Sequence, residues 1–219
     1  QFLAFHKKYY HPSNSYIYLY GDMDMEEKLL WMDEAYLSRF NAITVDSEIA
    51  LQKPFEKMNE VYRKYSITSE EPEEENAFLA YNISIGDSLD RELYLAFMVL
   101  EYALISAPGA PLHKILLEKN IGKDISGSYD NGVYQPYFSF VAKKSDVSRK
   151  DEFVNVIRES LTDIVKNGLD ENALKAGINY HEFRYREADF GSYPKGLMYG
   201  IQAFDSWLYD ETKPFIHLE

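Results

Sequence analysis

The order of two hydrophobic periodicities constrains the fold of this chain more than any other feature. From residue 77 onward, the chain contains two kinds of segment. In some, apolar and polar residues alternate as in strands, and in others apolar residues recur every three or four positions, as in amphipathic helices. The order is strand, helix, helix, two strands, helix, helix. Because strands and helices are segregated in this way, the sequence predicts an α+β fold of two layers, a mainly antiparallel sheet with helices on one face.

Turn and capping residues indicate where these segments begin and end. The strands are predicted over 77–85, 124–130 and 133–142, and the helices over 89–106, from Pro111 to near Gly122, from Phe153 to a stop at Gly168, from a cap at Asp170 to about Ala188, and over 197–208. Gly86-Asp87-Ser88 supplies the turn and cap before the first of these helices. Asn131-Gly132 predicts a two-residue type I′ hairpin turn, because both residues tolerate positive φ.

The first 75 residues have a different organisation. A short helix is predicted around Phe2 to Tyr9, a strand over 16–20, and a helix over 25–40 with Asp22 or Asp24 as its N-cap. Residues 41–75 are weakly patterned and end in Ser-Glu-Glu-Pro-Glu-Glu-Glu, a like-charge run. We therefore expect 1–40 and 76–219 to belong to two domains, with 41–75 as an acidic connector. The chain opens without Met inside a helical pattern, so we also expect it to be cut from a longer protein.

Composition excludes several classes of function. Acidic residues outnumber basic ones 36 to 23, and the net charge of -13 repels phosphate backbones, so nucleic acid is not expected as a partner. No apolar run approaches the roughly 18 residues that a membrane span needs, so no membrane association is expected. The chain has no cysteine, which excludes disulfides and thiolate chemistry and favours the cytoplasm without fixing the compartment.

The histidines do not form a zinc motif. A zinc peptidase helix of the His-x-x-Glu-His type needs two imidazoles four residues apart on one face. The five histidines are His6, His11, His113, His181 and His217, and none forms such a pair. His181-Glu182 resembles half of a motif but has no second histidine within a turn, so a half-buried or surface histidine is the favoured interpretation. His11 is interpreted as part of a structural turn.

Other catalytic patterns are weak. Two facing carboxylates would suit a glycosidase, but a chain with 36 acids offers such pairs by chance. Ser126-Gly127-Ser128 lacks the spacing of a phosphate loop or a nucleophile elbow. Asn82-Ile83-Ser84 matches a glycosylation acceptor but falls inside a predicted strand. Neither catalytic nor metal-binding residues are therefore predicted, and an exposed strand edge or the 19 tyrosines are left as candidates to bind peptide.

Two stretches resemble a known family. Phe5 to Asn14, containing Tyr-His-Pro-Ser-Asn and followed by Gly21-Asp22, is similar to an element near the end of the first domain of pitrilysin and insulysin-like zinc peptidases, in the branch of presequence protease and falcilysin. Ser206 to Leu218 is similar to the end of the second domain in that branch. Ala107-Pro108-Gly109-Ala110-Pro111-Leu112 falls where that family has a helix pair.

The resemblance implies a parent of four similar α+β domains in two halves. These close around a chamber that degrades unfolded peptides with one zinc ion, held by the first domain. Residues 1–40 would then be the end of the first, catalytic-type domain and 76–219 the second, non-catalytic domain. The partners implied are the remaining domains and unfolded peptides, and zinc is expected only in the intact parent.

Three functions follow from these interpretations. The first is an inactive segment that supplies chamber wall and domain packing to a zinc metalloendopeptidase. The second is a stand-alone structural or peptide-binding module with the same fold and no peptidase activity. The third is an unrelated hydrolase with paired carboxylates, which would be active as the isolated chain.

Overall fold

The computed structural model of the chain describes residues 1–72, 74–188 and 190–218, so Glu73 of the predicted acidic run, together with Asp189 and Glu219, lies outside the described residues. The chain divides into two compact units, Gln1–Glu60 and Val61–Glu219. Each unit is described by itself.

The first unit contains two helices and no buried side chain. Helix α1 spans Phe2–Tyr9 and helix α2 spans Met25–Ala35. Asp24 is the N-cap of α2, and its carboxylate accepts a hydrogen bond of 3.0 Å from the Glu27 backbone N–H. The prediction of one helix over 25–40 is wrong from residue 36 onward, because Tyr36 leaves helical geometry at φ -135 and a 3₁₀ turn follows.

The predicted strand over 16–20 does not form. Ser15 is extended, with φ -142 and ψ 148, but among the described residues no strand pairs with the segment that follows it. Ile17 and Tyr20 are half or more exposed. Alternation of β-branched and aromatic residues favours extended backbone, but a strand also needs a partner for its backbone hydrogen bonds, which this unit does not supply.

The second unit is built on an antiparallel sheet. Strand β1 spans Ala77–Ser84, β2 spans Asp124–Asp130 and β3 spans Tyr137–Ser145. In the part of the chain that the structure describes, the strand order is β1-β3-β2, with β3 in the centre. The predicted α+β fold with an antiparallel sheet is confirmed.

The predicted two-residue hairpin turn is wrong. Asp130 pairs with Tyr137, so residues 131–136 form a longer loop between β2 and β3. This loop is held by distant backbone: the Ile85 N–H donates to the Pro136 carbonyl at 2.8 Å and the Ser88 N–H to the Tyr134 carbonyl at 2.9 Å. The local turn preference of Asn-Gly yields to these bonds, which also account for the burial of Pro136.

The helices of the second unit follow the predicted order. Helix α3 spans Arg91–Glu101 and continues as a π-helical turn over Tyr102–Ser106; the others are α4 over Pro111–Glu118, α5 over Lys150–Asn167, α6 over Glu171–Glu187 and α7 over Lys195–Trp207. Asp170 caps α6 and Gly168 ends α5, as predicted. The cap of α3 is Asp90, not the Gly86-Asp87-Ser88 turn, and α4 ends at Glu118, one turn before Gly122.

The core lies between one face of the sheet and helices α3, α4 and α5. Strand β3 contributes Phe138, Phe140 and Ala142, which are opposite Ile83, Tyr81 and Leu79 on β1. The helices and the turns beside them contribute Leu104, Ile105, Leu112, Leu116, Ile121, Phe153, Val156 and Ile157. The other face of the sheet is mixed: Ala80, Asn82, Ser84 and Ser128 are exposed there, together with Phe78 of β1 and next to Val141 of β3.

The stretch Arg91–Glu118 is longer and more apolar than predicted from the sequence. Arg91–Glu118 has a window with mean hydropathy 1.5, which is long and apolar enough to cross a membrane by length and composition alone. The expectation that no run approaches this length is therefore wrong. In the structure the stretch is interrupted between Ser106 and Pro111, and Leu104, Leu112 and Leu116 lie in the core of the second unit. The core therefore accounts for part of this apolar run, of which 28% of the residues in the window are buried.

The core predicts a strict requirement for glycine in β2. A Cβ at Gly127 would lie 2.8 Å from the Ser139 carbonyl oxygen and 2.9 Å from the Ile105 Cγ2, so Gly127→Ala is expected to lower the free energy of unfolding by about 1–3 kcal/mol. Urea denaturation followed by circular dichroism measures this. Gly132→Ala is the matched control, because its Cβ would meet nothing closer than Asp205 Oδ1 at 3.6 Å. Equal stability of both variants would contradict the packing described for Gly127.

Candidate functional site

The histidines are dispersed over the structure in separate structural roles. His11 Nδ1 accepts a hydrogen bond of 3.1 Å from the Ser13 N–H and so stabilises the turn before residue 15, as the sequence predicted. His6 stacks on Tyr10 with ring centroids 4.6 Å apart. His113 lies on α4. Among the described residues no group of three or more His, Cys, Asp or Glu is arranged to hold a metal ion.

His181 joins two helices. It lies on α6, half-buried, and its Nε2 is 3.0 Å from the Met98 carbonyl oxygen at the end of α3. Burial lowers the pKa of His181, so the ring is neutral near pH 7 and its N–H donates to that carbonyl. Glu182, its neighbour in sequence, forms an ion pair with Arg186 instead. The half zinc motif therefore serves to pack α6 against α3.

A polar aromatic cluster lies in the first turn of α3. Tyr94 is buried and stacks on His217 with centroids 3.9 Å apart and an interplanar angle of 16°. Tyr129 of β2 meets Tyr94 edge to face at 6.2 Å. Burial raises the pKa of Tyr94 and Tyr185, and raises that of Tyr129 to about 12, so all three phenols stay protonated and each carries an O–H that can donate a hydrogen bond.

Sequence reasoning missed this cluster. His217 was counted among scattered histidines, and Tyr94 was not singled out at all. One signal in the sequence was the position of His217 within the family-like stretch from Ser206 to Leu218. Hydrophobic periodicity describes neighbours along one helix, so it gives no indication that Tyr94 contacts a residue more than a hundred positions later in the chain.

One pair of carboxylates is brought together, as the hydrolase hypothesis requires. Asp205 on α7 approaches the loop after β2, and Asp130 ends β2. Burial, with a smaller contribution from the Asp130 charge, raises the pKa of Asp205 to about 6. Asp130 accepts a hydrogen bond of 2.7 Å from the Tyr137 hydroxyl. A carboxyl group with a raised pKa beside a second carboxyl group is chemically capable of proton transfer, but the burial of Asp205 is explained equally by packing of α7 on the loop.

The sheet offers edges to an extended peptide. Because β3 is central, the outer edges of β1 and β2 are the strand edges available among the described residues. The exposed sheet face between them carries Ala80 and Ser128 together with the larger Phe78 and Val141. A peptide added to either edge would be bound mainly through backbone hydrogen bonds, which are tolerant of sequence.

Known proteins match almost the whole chain. Residues 1–180 match the family model described as Peptidase M16 inactive domain. The chain is 45% identical over 219 residues to Protein HypA of Clostridium perfringens, covering 100% of this chain and 22% of that protein. It is 32% identical over 214 residues to Presequence protease 1, chloroplastic/mitochondrial, of Arabidopsis thaliana, covering 96% of this chain and 20% of that protein. With Presequence protease, mitochondrial, of Danio rerio the identity is 26% over 197 residues, covering 87% and 19%.

The alignments cover most of this chain but only a small part of each relative. The chain spans about a fifth of the length of the curated relatives it matches. The similarity therefore concerns one segment of much longer proteins, and it includes both the first unit and most of the second.

The environment of Asp205 predicts a pH-dependent variant. Its pKa is raised from 3.8 to about 6 in the folded chain, so its contribution to stability is complete below pH 3.8 and is lost as the pH rises through about 6. Asp205→Asn removes the stability that is lost when the Asp205 carboxyl group ionises in the folded chain. After allowance for partial solvent exposure, we expect the variant to raise the free energy of unfolding by about 1–2 kcal/mol at about pH 7.5. At about pH 4.5 the increase should be much smaller.

Urea denaturation at both pH values measures the difference. Glu159→Gln, an exposed acid-to-amide change on α5, is the control and is expected to behave alike at both. A gain for Asp205→Asn that does not depend on pH would contradict the assignment.

Proposed function

Because this chain belongs to the M16 peptidase family, in its presequence-protease branch, we propose that it is the non-catalytic part of a zinc metalloendopeptidase that encloses and degrades unfolded peptides. Its role in that enzyme is to supply chamber wall and domain packing. The observation that carries the proposal is the match of residues 1–180 to a segment described as the inactive domain.

The histidines of the described residues make identifiable structural contacts. They serve turns, helix packing and aromatic stacking, and the part of the chain that the structure describes has no group suited to a metal. In the proposal, zinc and its ligands belong to another part of the parent protein. They would have to come from residues upstream, as the resemblance to the zinc peptidases implies.

The first unit supports the proposed role in domain packing. No side chain among residues 1–60 is buried, although the unit is rich in large apolar residues. On α2, Leu29 is 52% exposed and Leu30 and Trp31 are each 63% exposed, and on α1 Leu3 is 80% exposed. Apolar helices without a core indicate that their faces are covered by another structure. In the proposal this structure is the rest of the first domain, of which residues 1–40 are the end.

The proposed domain limits place the connector at 41–75 and the second domain at 76–219. The division between compact units falls after Glu60, inside the proposed connector. Residues 41–65 contain no helix or strand, and Ile49 is 89% exposed. The second unit has its own core, as a domain must.

The isolated chain is expected to be inactive. We expect it to bind no stoichiometric zinc by metal analysis and to leave an unstructured fluorogenic peptide uncleaved. The full-length protein should bind one zinc and cleave the same peptide in a chelator-sensitive way. One tightly bound zinc in the isolated chain, or chelator-sensitive cleavage by it, would overturn the inactive role, while an inactive full-length protein would favour the structural or peptide-binding module.

The exposed face of α2 gives a second prediction. Leu30→Asp is expected to change the stability of the isolated chain by less than about 0.5 kcal/mol, because the side chain is 63% exposed there. In the full-length protein, where the proposal buries this face, the same change should cost about 2 kcal/mol or more.

Thermal or urea denaturation of both forms makes the comparison. Ile49→Asp in the connector is the matched control and should be neutral in both, because that side chain is 89% exposed. If Leu30→Asp has the same effect in the two contexts, residues 1–40 do not pack on a first domain.

A further inference from the structure

The region around His217 contains a cavity that the proposed function does not use. The cavity has a volume of about 230 Å³ and is lined by Arg91, Tyr94, Leu95, Tyr185, Ile216, His217 and Leu218. Apolar cavities of about 150 Å³ are known to take up a molecule the size of benzene. A volume of about 230 Å³ therefore suits a ligand the size of a substituted benzene ring or one amino-acid residue.

His217 is the unusual member of this lining. Its side chain is 6% exposed, yet neither Nδ1 nor Nε2 has a hydrogen-bond partner among the described residues. An imidazole buried without partners costs free energy, which a packed Phe or Leu at this position would avoid. The stack on Tyr94 orients the ring but satisfies neither nitrogen. The arrangement leaves both nitrogens available to something that enters the cavity.

The positive charge of Arg91 favours a negatively charged ligand in this cavity. Arg91 at the start of α3 forms no ion pair with any carboxylate of the described residues, although the chain has a net charge of -13. Its charge acts on His217, whose pKa is lowered mainly by burial and secondarily by Arg91. The imidazole is therefore neutral near pH 7 and donates one N–H, next to a permanently charged guanidinium.

The remaining wall defines the body of the ligand. Leu95, Ile216 and Leu218 are apolar, and Tyr94 and Tyr185 present aromatic rings with protonated hydroxyl groups. The guanidinium offers several N–H donors, the neutral imidazole one N–H and each phenol one O–H, and together these donors match the acceptor oxygens of a carboxylate. We propose that this cavity binds a small carboxylate with an apolar or aromatic body, either a free carboxylic acid or the C-terminal residue of a peptide.

This proposal is independent of the proposed function. It concerns a site formed by α3, α6 and the segment after α7, and it would hold whether or not the parent protein is a peptidase. Asp205, which acts electrostatically on Tyr94 and Tyr185, is not among the lining residues.

Binding of benzoate to the chain of 219 residues tests the proposal. Titration is followed by the imidazole ¹⁵N resonances of His217, assigned by their loss in His217→Phe, and by calorimetry. We expect saturable shifts with benzoate and none with benzamide, which has the same shape without the charge. N-acetylphenylalanine and its amide form the second arm, and tighter binding of that acid than of benzoate identifies a peptide C-terminus as the source.

Two variants separate binding from folding. Arg91→Met keeps the length of an exposed side chain and should weaken benzoate binding at least about tenfold, while Arg39→Met in the first unit should leave it unchanged. His217→Phe keeps a ring to stack on Tyr94 and should abolish the calorimetric signal. Equal binding of benzoate and benzamide, no binding of any acid, or unaltered binding by Arg91→Met would each overturn the proposal.

Discussion

Burial of one face of the sheet is the interaction on which the rest of this structure depends. The central strand places Phe138, Phe140 and Ala142 beneath three helices, and the two outer strands complete the same surface. Close approach is possible only because Gly127 has no side chain where Ile105 and the Ser139 carbonyl converge. Since the helices occupy this face, the opposite face and both edges are left for contacts with other molecules.

The first unit shows what the same kinds of pattern produce without such a surface. Both of its helices form, and the Glu27 N–H donates to the Asp24 cap of α2, but neither helix buries a side chain. Local interactions therefore give these segments their helical backbone, while the free energy of packing must come from elsewhere. The two units therefore differ in kind: the second has its own core, and the first has none, which is why we propose that residues 1–40 pack on the rest of a first domain.

Sequence reasoning succeeded where the determinant was local. Asp170, Gly168 and Pro111 are capping or first-turn residues whose preferences act within one turn, and the helices begin or end beside them. It failed where a distant group decided the outcome. The extended segment over 16–20 found no partner strand, and the loop over 131–136 was set by backbone bonds from Ile85 and Ser88 instead of by Asn-Gly.

The same distinction governs the candidate sites. The missing zinc motif was readable because its ligands would be four residues apart, whereas Tyr94 and His217 meet only through the tertiary fold. Helix α3 takes part in both kinds of contact: Phe97 and Leu100 pack against the apolar core, while Tyr94, one turn before Phe97, stacks on His217 and shares the Tyr129 ring with Phe97. An apolar side chain in place of His217 would avoid the free-energy cost of burying two imidazole nitrogens without partners. A carboxylate bound in the proposed cavity would offset that cost, so ligand binding is the physical account we propose for the polar start of this helix.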